Sequence, residues 1–120
     1  MKVAVSALGP SLDDRVDERF GRAAYLIIVD DATLANEVID NSANRDALQG
    51  AGLGAAEVVS EHGAAAVITG HLGPKAFNAL RLAGVTGYNG TSMTVRSAIE
   101  EFKSGRLARL TEGEAQAGMS

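Results

Sequence analysis

Cysteine is absent from all 120 residues, and so is tryptophan. Without thiols the chain forms no disulfide and offers no thiolate to zinc or to an iron–sulfur cluster. Aromatic residues make up 4% of the chain against 46% hydrophobic residues in all, so the core must be filled by Val, Ile, Leu and Ala, with closely packed elements. Positive charge is not in excess: eleven Lys and Arg face fifteen Asp and Glu, for a net charge of −4. That balance argues against a nucleic-acid partner gripped through its phosphates. No apolar run approaches the roughly 20 residues that cross a bilayer, and the opening MKVAVSALG is too short for a secretory signal. A cytoplasmic protein with no membrane partner is the expectation. No nucleophile–base–acid arrangement is visible either, so the chain is not expected to be an enzyme.

What is present is a regular alternation of short apolar runs and helical spacings. KVAVSAL (2–8) reads as a buried strand that ends in the charged loop GPSLDDRVDE. AAYLIIVD (23–30) is a second strand, and DAT turns it toward LANEVIDN (34–41), an antiparallel neighbour. Leu48, Gly52, Ala55, Ala56 and Val59 then recur at helical spacing up to Gly63. AAAVITG (64–70) is a strand, followed by a helix that opens at Pro74 and stops at Gly84. VTGY (85–88) is the last strand. Thr94 caps a third helix with Val95, Ala98, Ile99 and Phe102 on one face and Gly105 at its end. RLARL adds an extended contact through Leu107 and Leu110, and residues 111–120 hold too little apolar content to order, so they read as a disordered tail. The sum is β-β-β-α-β-α-β-α, an α/β fold over a single domain, residues 1–110. An antiparallel meander precedes βαβ units that add parallel strands to one mixed five-stranded sheet.

Gly50-Ala51-Gly52-Leu53-Gly54-Ala55 satisfies the G-x-G-x-x-A pattern of a dinucleotide cradle. Its context is missing. About eight residues separate it from the preceding strand, and the next strand ends in ITGHLG with no acid for a ribose. Two other readings remain compatible: Gly52 lies on the helix face that touches the sheet, and Gly50 and Gly54 leave helix N–H groups open to an anion. A nucleotide-binding enzyme built on Gly50–Ala55 stays as an alternative, as does a regulatory protein-interaction module.

DERFGRAAYLIIVD, GAGLGAAEVV, AVITGHLGPKAFNALRLAG and AIEEFKSGRL, in this order, resemble the dinitrogenase iron-molybdenum cofactor biosynthesis family. The resemblance implies a ribonuclease H-like three-layer α/β/α fold. It also implies a small carrier that stores, carries or helps assemble an anionic molybdenum-containing metal–sulfide cluster. The subgroup it is most similar to implies a mixed molybdenum–copper sulfide held without covalent protein ligands, with no haem and no nucleotide, and a protein donor or acceptor of the cluster as partner. Fold likeness does not imply nuclease activity: the first strand offers none of the carboxylates that two metal ions would need, and Asp30 and Asp31 read as turn formers.

An anionic, bulky cluster in a cysteine-free chain calls for Arg and Lys charge, backbone N–H groups and an apolar wall. ERFGR offers Arg19, Phe20, Gly21 and Arg22, whose alternative is simple pairing with Asp13, Asp14, Asp17 and Glu18. TGHLGPKAF follows a strand and opens a helix, bringing His71, Gly73 and Lys75 to a helix N-terminus. His71 is a candidate copper ligand or a polar turn residue, and His62 a helix-end cap. Asn44 and Arg45 are expected at the same mouth with Gly50 and Gly52, and Asp46 as the helix N-cap. Asn89 closes the set, with Met93 a soft thioether for Cu(I) or a packing residue.

Overall fold

The computed structural model describes residues 1–111, so all of the expected tail except Thr111 lies outside the described residues. Five strands run β1 (Lys2–Ala7), β2 (Tyr25–Asp30), β3 (Asn36–Asp40), β4 (Ala66–Thr69) and β5 (Thr86–Asn89). Four helices are interleaved among the described residues: α1 (Ser42–Arg45), α2 (Ala51–Glu61), α3 (Pro74–Leu82) and α4 (Val95–Lys103). The sheet order is β3-β2-β1-β4-β5. β1 pairs antiparallel with β2, and β2 with β3, while β1, β4 and β5 run parallel. None of the described helices is long and apolar enough to cross a membrane.

The β-branched runs of β1, β2 and β4 are apolar at nearly every position because both faces of the sheet are covered. Ala4, Leu26, Ile28 and Val67 point to one face, under Ala55, Ala56 and Val59 of α2 and Ala76 and Leu80 of α3. Val3, Val5, Ile27, Val29, Ala66 and Ile68 point to the other, under Val95, Ala98 and Ile99 of α4. The chain is thus a helix–sheet–helix sandwich. Beyond α4, residues 108–110 run back along β5, where the Leu110 N–H donates to the Gly87 carbonyl at 2.9 Å and Leu110 closes the α2/α3 side of the core.

The stop and cap signals of the later helices are in place. Gly84 and Gly105 adopt φ of 77° and 70° just past the ends of α3 and α4. The Thr94 hydroxyl accepts a hydrogen bond from the Ser97 N–H at 3.1 Å and satisfies one free donor of α4. Replacing Thr94 with Ala should cost about 1 kcal/mol, lowering the melting temperature by about 4 °C in a thermal scan.

The stretch before α2 departs from expectation. Residues 42–45 form a short helix of their own, and Asp46 is its C-cap rather than the N-cap of the next helix. α2 begins three residues later than the apolar spacing implies, with Gly50 as N-cap at φ 80°, a left-handed conformation that suits glycine. Leu48 therefore lies outside the helix and is fully exposed. Gly52 does not face the sheet: a Cβ there would come within 3.1 Å of the Ala76 Cβ, so it faces α3 and lets the two helices close on each other. With α1 standing between the end of β3 at Asp40 and the start of α2 at Ala51, the glycine-rich segment does not follow a strand through a tight turn, which is the context a dinucleotide cradle needs.

Candidate functional site

Three separate chain segments meet on the α2/α3 side of the sheet, beyond the carboxyl ends of β1 and β4. They are the end of the charged loop, Glu18–Arg22; the start of α2, Gly50–Leu53; and the turn into α3, His71–Ala76. Together they line an open cleft of about 630 Å³. Phe20, itself buried, belongs to the core beneath α2 and α3, and with Ala51, Leu53, Pro74 and Ala76 it supplies an apolar wall.

The close approach of these segments depends on positions without side chains. A Cβ on Gly21 would stand 2.5 Å from the Gly52 nitrogen and 2.7 Å from the Ala51 carbonyl carbon, so the loop and the α2 N-terminus are in direct backbone contact. A Cβ on Gly70 would meet the Glu18 Cβ at 2.7 Å, and a bridge between Arg19 and His71 ties the same loop to the turn before α3.

Both helices open onto the cleft with their N-termini bare. Neither α2 nor α3 has a side-chain N-cap hydrogen bond or an acid in its first turn. The first N–H groups of an α-helix have no partner within it. At α3 the first of these is absent because Pro74 occupies that position, which leaves Lys75 and Ala76 as donors. Two helix N-termini thus direct partial positive charge and free donors into one space.

Three cations join them. Lys75 and Arg22 have no carboxylate partner among the described residues, whereas Arg19 pairs with Asp17 at 3.0 Å. Hydrogen bonding and attraction to the Asp17 carboxylate raise the Arg19 pKa, so this guanidinium stays charged. Arg22 is also a strut: one Nη donates to the carbonyls of Arg45 at 2.7 Å and Ala47 at 2.5 Å, fastening the segment that leads into α2. Among the described residues Glu18 is the single acid on the wall.

Of the residues singled out from sequence, Arg19, Phe20, Gly21, Arg22, Gly50, Gly52, His71, Gly73 and Lys75 line this cleft. Asn44 does not; its amide donates to the Asn41 side chain at 3.0 Å, and it packs against Gly54. The Arg45 guanidinium turns to Asp46 at 3.1 Å and offers only its carbonyl to Arg22. Asn89 accepts hydrogen bonds from the Thr91 N–H and hydroxyl and shapes the turn after β5. Met93 packs on the α4 side of the core, across the sheet from the cleft. His62 ends α2, its Nδ1 at 2.8 Å from the Val58 carbonyl and its Nε2 at 3.3 Å from Glu37. Glu18, Ala51, Leu53, Pro74 and Ala76 complete the wall; they lie within the ERFGR, glycine-rich and TGHLGPKAF segments, which single out only their cationic, glycine, histidine and phenylalanine members as site residues. Among the described residues no group of three or more His, Asp or Glu could hold a metal ion.

Residues 1–105 match the sequence profile of the dinitrogenase iron-molybdenum cofactor family. Among solved structures the chain is similar to the apo form of the orange protein from Desulfovibrio gigas, at 44% identity and a TM-score of 0.88, with 92% of each chain covered. It is also similar to a Thermotoga protein of the DUF35 family described as a candidate NifB protein, at 36% identity and a TM-score of 0.80, covering 92% of this chain and 93% of that one. An uncharacterized protein of Methanocaldococcus jannaschii shares 29% identity over 112 residues, 91% of each chain. With the profile running through all five strands and all four helices described above, the chain belongs to the dinitrogenase iron-molybdenum cofactor family.

Proposed function

We propose that this protein stores, carries or helps assemble an anionic molybdenum-containing metal–sulfide cluster in the cleft between α2 and α3. The observation that carries the reading is the convergence of two uncapped helix N-termini and three cations on an apolar-walled space with one acid. A polyanion of sulfide-bridged metals needs that combination: donors for its sulfur surface, positive charge, and a dry wall for a polarisable body. Among the described residues the wall contains no sulfur ligand and a single imidazole, so in this reading the grip rests on charge and hydrogen bonds, with His71 at the mouth as the position from which copper would be ligated. A molybdenum–copper sulfide is the cargo the family resemblance favours, and the apo form named for the orange protein supports a bound state in that relative.

In this reading residues 1–110 are one cluster-binding domain of ribonuclease H-like type, cytoplasmic, whose work is binding and transfer to or from a protein partner rather than catalysis. Bare helix N-termini also accept phosphate, which keeps a nucleotide as the second reading. Its weakness is the end of β4, where Thr69, Gly70 and His71 stand in place of an acid for the ribose.

After mixing with tetrathiomolybdate and Cu(I) and removal of unbound reagent by gel filtration, the protein should carry visible charge-transfer absorption, with amide shifts concentrated in residues 18–22, 50–53 and 71–76. Protein that elutes without colour and with an unchanged amide spectrum overturns the carrier reading. Amide shifts in the same segments on adding ADP alone would favour the nucleotide.

A further inference from the structure

Two hydroxyls sit where the core pattern calls for apolar side chains. Ser6 ends the inward row of β1, and Thr69 lies beside it at the end of β4; both are fully buried. A buried hydroxyl is tolerated when it is hydrogen-bonded, and these are. The Ser6 Oγ lies 2.6 Å from the Asp17 carbonyl and 2.7 Å from the Thr69 Oγ, while the Thr69 Oγ is 3.4 Å from that same carbonyl. A serine hydroxyl has one proton to give. The short distances therefore form a relay in which Thr69 donates to Ser6 and Ser6 donates to Asp17. The Asp17 N–H completes the attachment by donating to the Ser6 carbonyl at 2.8 Å.

Above this anchor the Asp17 carboxylate is 2% exposed, yet it points at a side chain that is 64% exposed. Its Oδ1 accepts from the Arg19 backbone N–H at 3.0 Å and from Nε at 3.1 Å, and its Oδ2 accepts from Nη2 at 3.0 Å. An exposed arginine has many rotamers to lose, and this two-pronged clamp fixes the plane of its guanidinium. The clamp uses two of the five guanidinium N–H groups and leaves three for a ligand.

We propose that Asp17, seated on Ser6 and Thr69, is a positioning residue that aims Arg19 at the anion in the cleft. This rests on the carrier reading and goes beyond it. The Asp17–Arg19 pair is then no idle surface ion pair. Asp17 cancels much of the net charge of Arg19 but sets its direction, so Arg19 contributes oriented hydrogen bonds, while Lys75 and Arg22, which have no carboxylate partner among the described residues, contribute long-range attraction.

The test uses full-length protein with tetrathiomolybdate and Cu(I) as the probe. Arg19→Gln and Asp17→Asn should each weaken binding about tenfold, and the double variant should be no weaker than Arg19→Gln alone, because removing the aimed group makes the aiming group irrelevant. Arg19→Lys keeps the charge without the fork and should lose as much as Arg19→Gln. Thr69→Val, which breaks the relay at its base, should cost several-fold in affinity through the same pathway, again with no further loss in the Arg19→Gln background. Wild-type affinity in Asp17→Asn, or an Asp17→Asn loss that persists in the Arg19→Gln background, overturns the proposal. Should Asp17→Asn not fold, full affinity in Arg19→Lys, which alters only the exposed partner, overturns it just as well. Wild-type protein that binds no probe overturns the carrier reading, whereas a wild type that binds, with any of the contrary variant results above, overturns this proposal alone.

Discussion

Replacing Arg19 and Lys75 together with Gln should weaken binding of the tetrathiomolybdate–copper probe about a hundredfold. Each residue offers a charge-assisted hydrogen bond to an anion, worth about 1.5 kcal/mol or more, and two such losses amount to about two factors of ten. Both side chains are exposed, so their removal opens no cavity in the core, although Arg19→Gln also takes an ionic partner from the buried Asp17 carboxylate. Arg22 is omitted deliberately: its guanidinium holds the carbonyls of Arg45 and Ala47, and its loss would disturb the entry to α2 as well as the charge. Binding to the wild type should fall as salt rises, with a shallower slope for the double variant. Most of that change in slope should follow Lys75, whose charge has no carboxylate partner among the described residues. Titrations followed in the visible at two ionic strengths measure all of this, and unchanged affinity in the double variant would remove the electrostatic assignment.

Gly21→Ala should be the most disruptive single methyl in the protein's binding region. The added carbon would meet the Gly52 nitrogen at 2.5 Å and its Cα at 2.8 Å, backbone atoms that cannot rotate away. Either the 18–22 loop lifts or the first turn of α2 moves, at about 3 kcal/mol, and the melting temperature drops by about 10 °C. Probe binding should fall with it, since the two sides of the cleft are being pushed apart. Gly73→Ala is the control: a Cβ there meets nothing within 4 Å, and its φ of −65° is open to any residue. Its effect should stay below about 1 kcal/mol, the difference between Gly and Ala at a helix N-cap. Equal melting temperatures for the two variants would contradict the packing described for Gly21.

β1, β2 and β4 were legible because each is a short apolar run that ends in turn formers, as in YLIIVD before Asp31 and AVIT before Gly70. Pro74, Gly84, Thr94 and Gly105 marked α3 and α4 by their own backbone preferences. The 42–50 stretch was misread because a four-residue helix is too short to show a period. Asp46 also has the same cap-forming side chain whether it begins a helix or ends one. Leu48 fell in step with the apolar spacing of α2 by coincidence, since α2 starts only at Ala51.

For the cleft, local chemistry identified ERFGR and HLGPK as anion-seeking segments but could not say that they meet. Their meeting follows from β1 lying between β2 and β4, a pairing of residues 63 apart in sequence that no local pattern encodes. Asn44, Arg45, Asn89 and Met93 were grouped with them on residue type alone. In the fold, the first three settle turns and helix ends and Met93 fills the opposite core. The Asp17 anchor was hidden for a different reason. A buried carboxylate and a solvated one look alike in a charged loop, and only the hydroxyls beneath distinguish them.

The cleft is assembled from segments that touch only after β1 and β4 have paired, so an unfolded chain keeps no fragment of it. In the proposed carrier reading, cargo and folding are therefore thermodynamically linked. Free cluster at a hundred times its dissociation constant adds about 2.7 kcal/mol to the folded state, and a loaded carrier withstands conditions that melt an empty one. The reverse also holds: a partner that pries the 18–22 loop from Gly52 and Gly70 need not compete for the metal at all, because separating the sides dissolves the site and sets the cargo free.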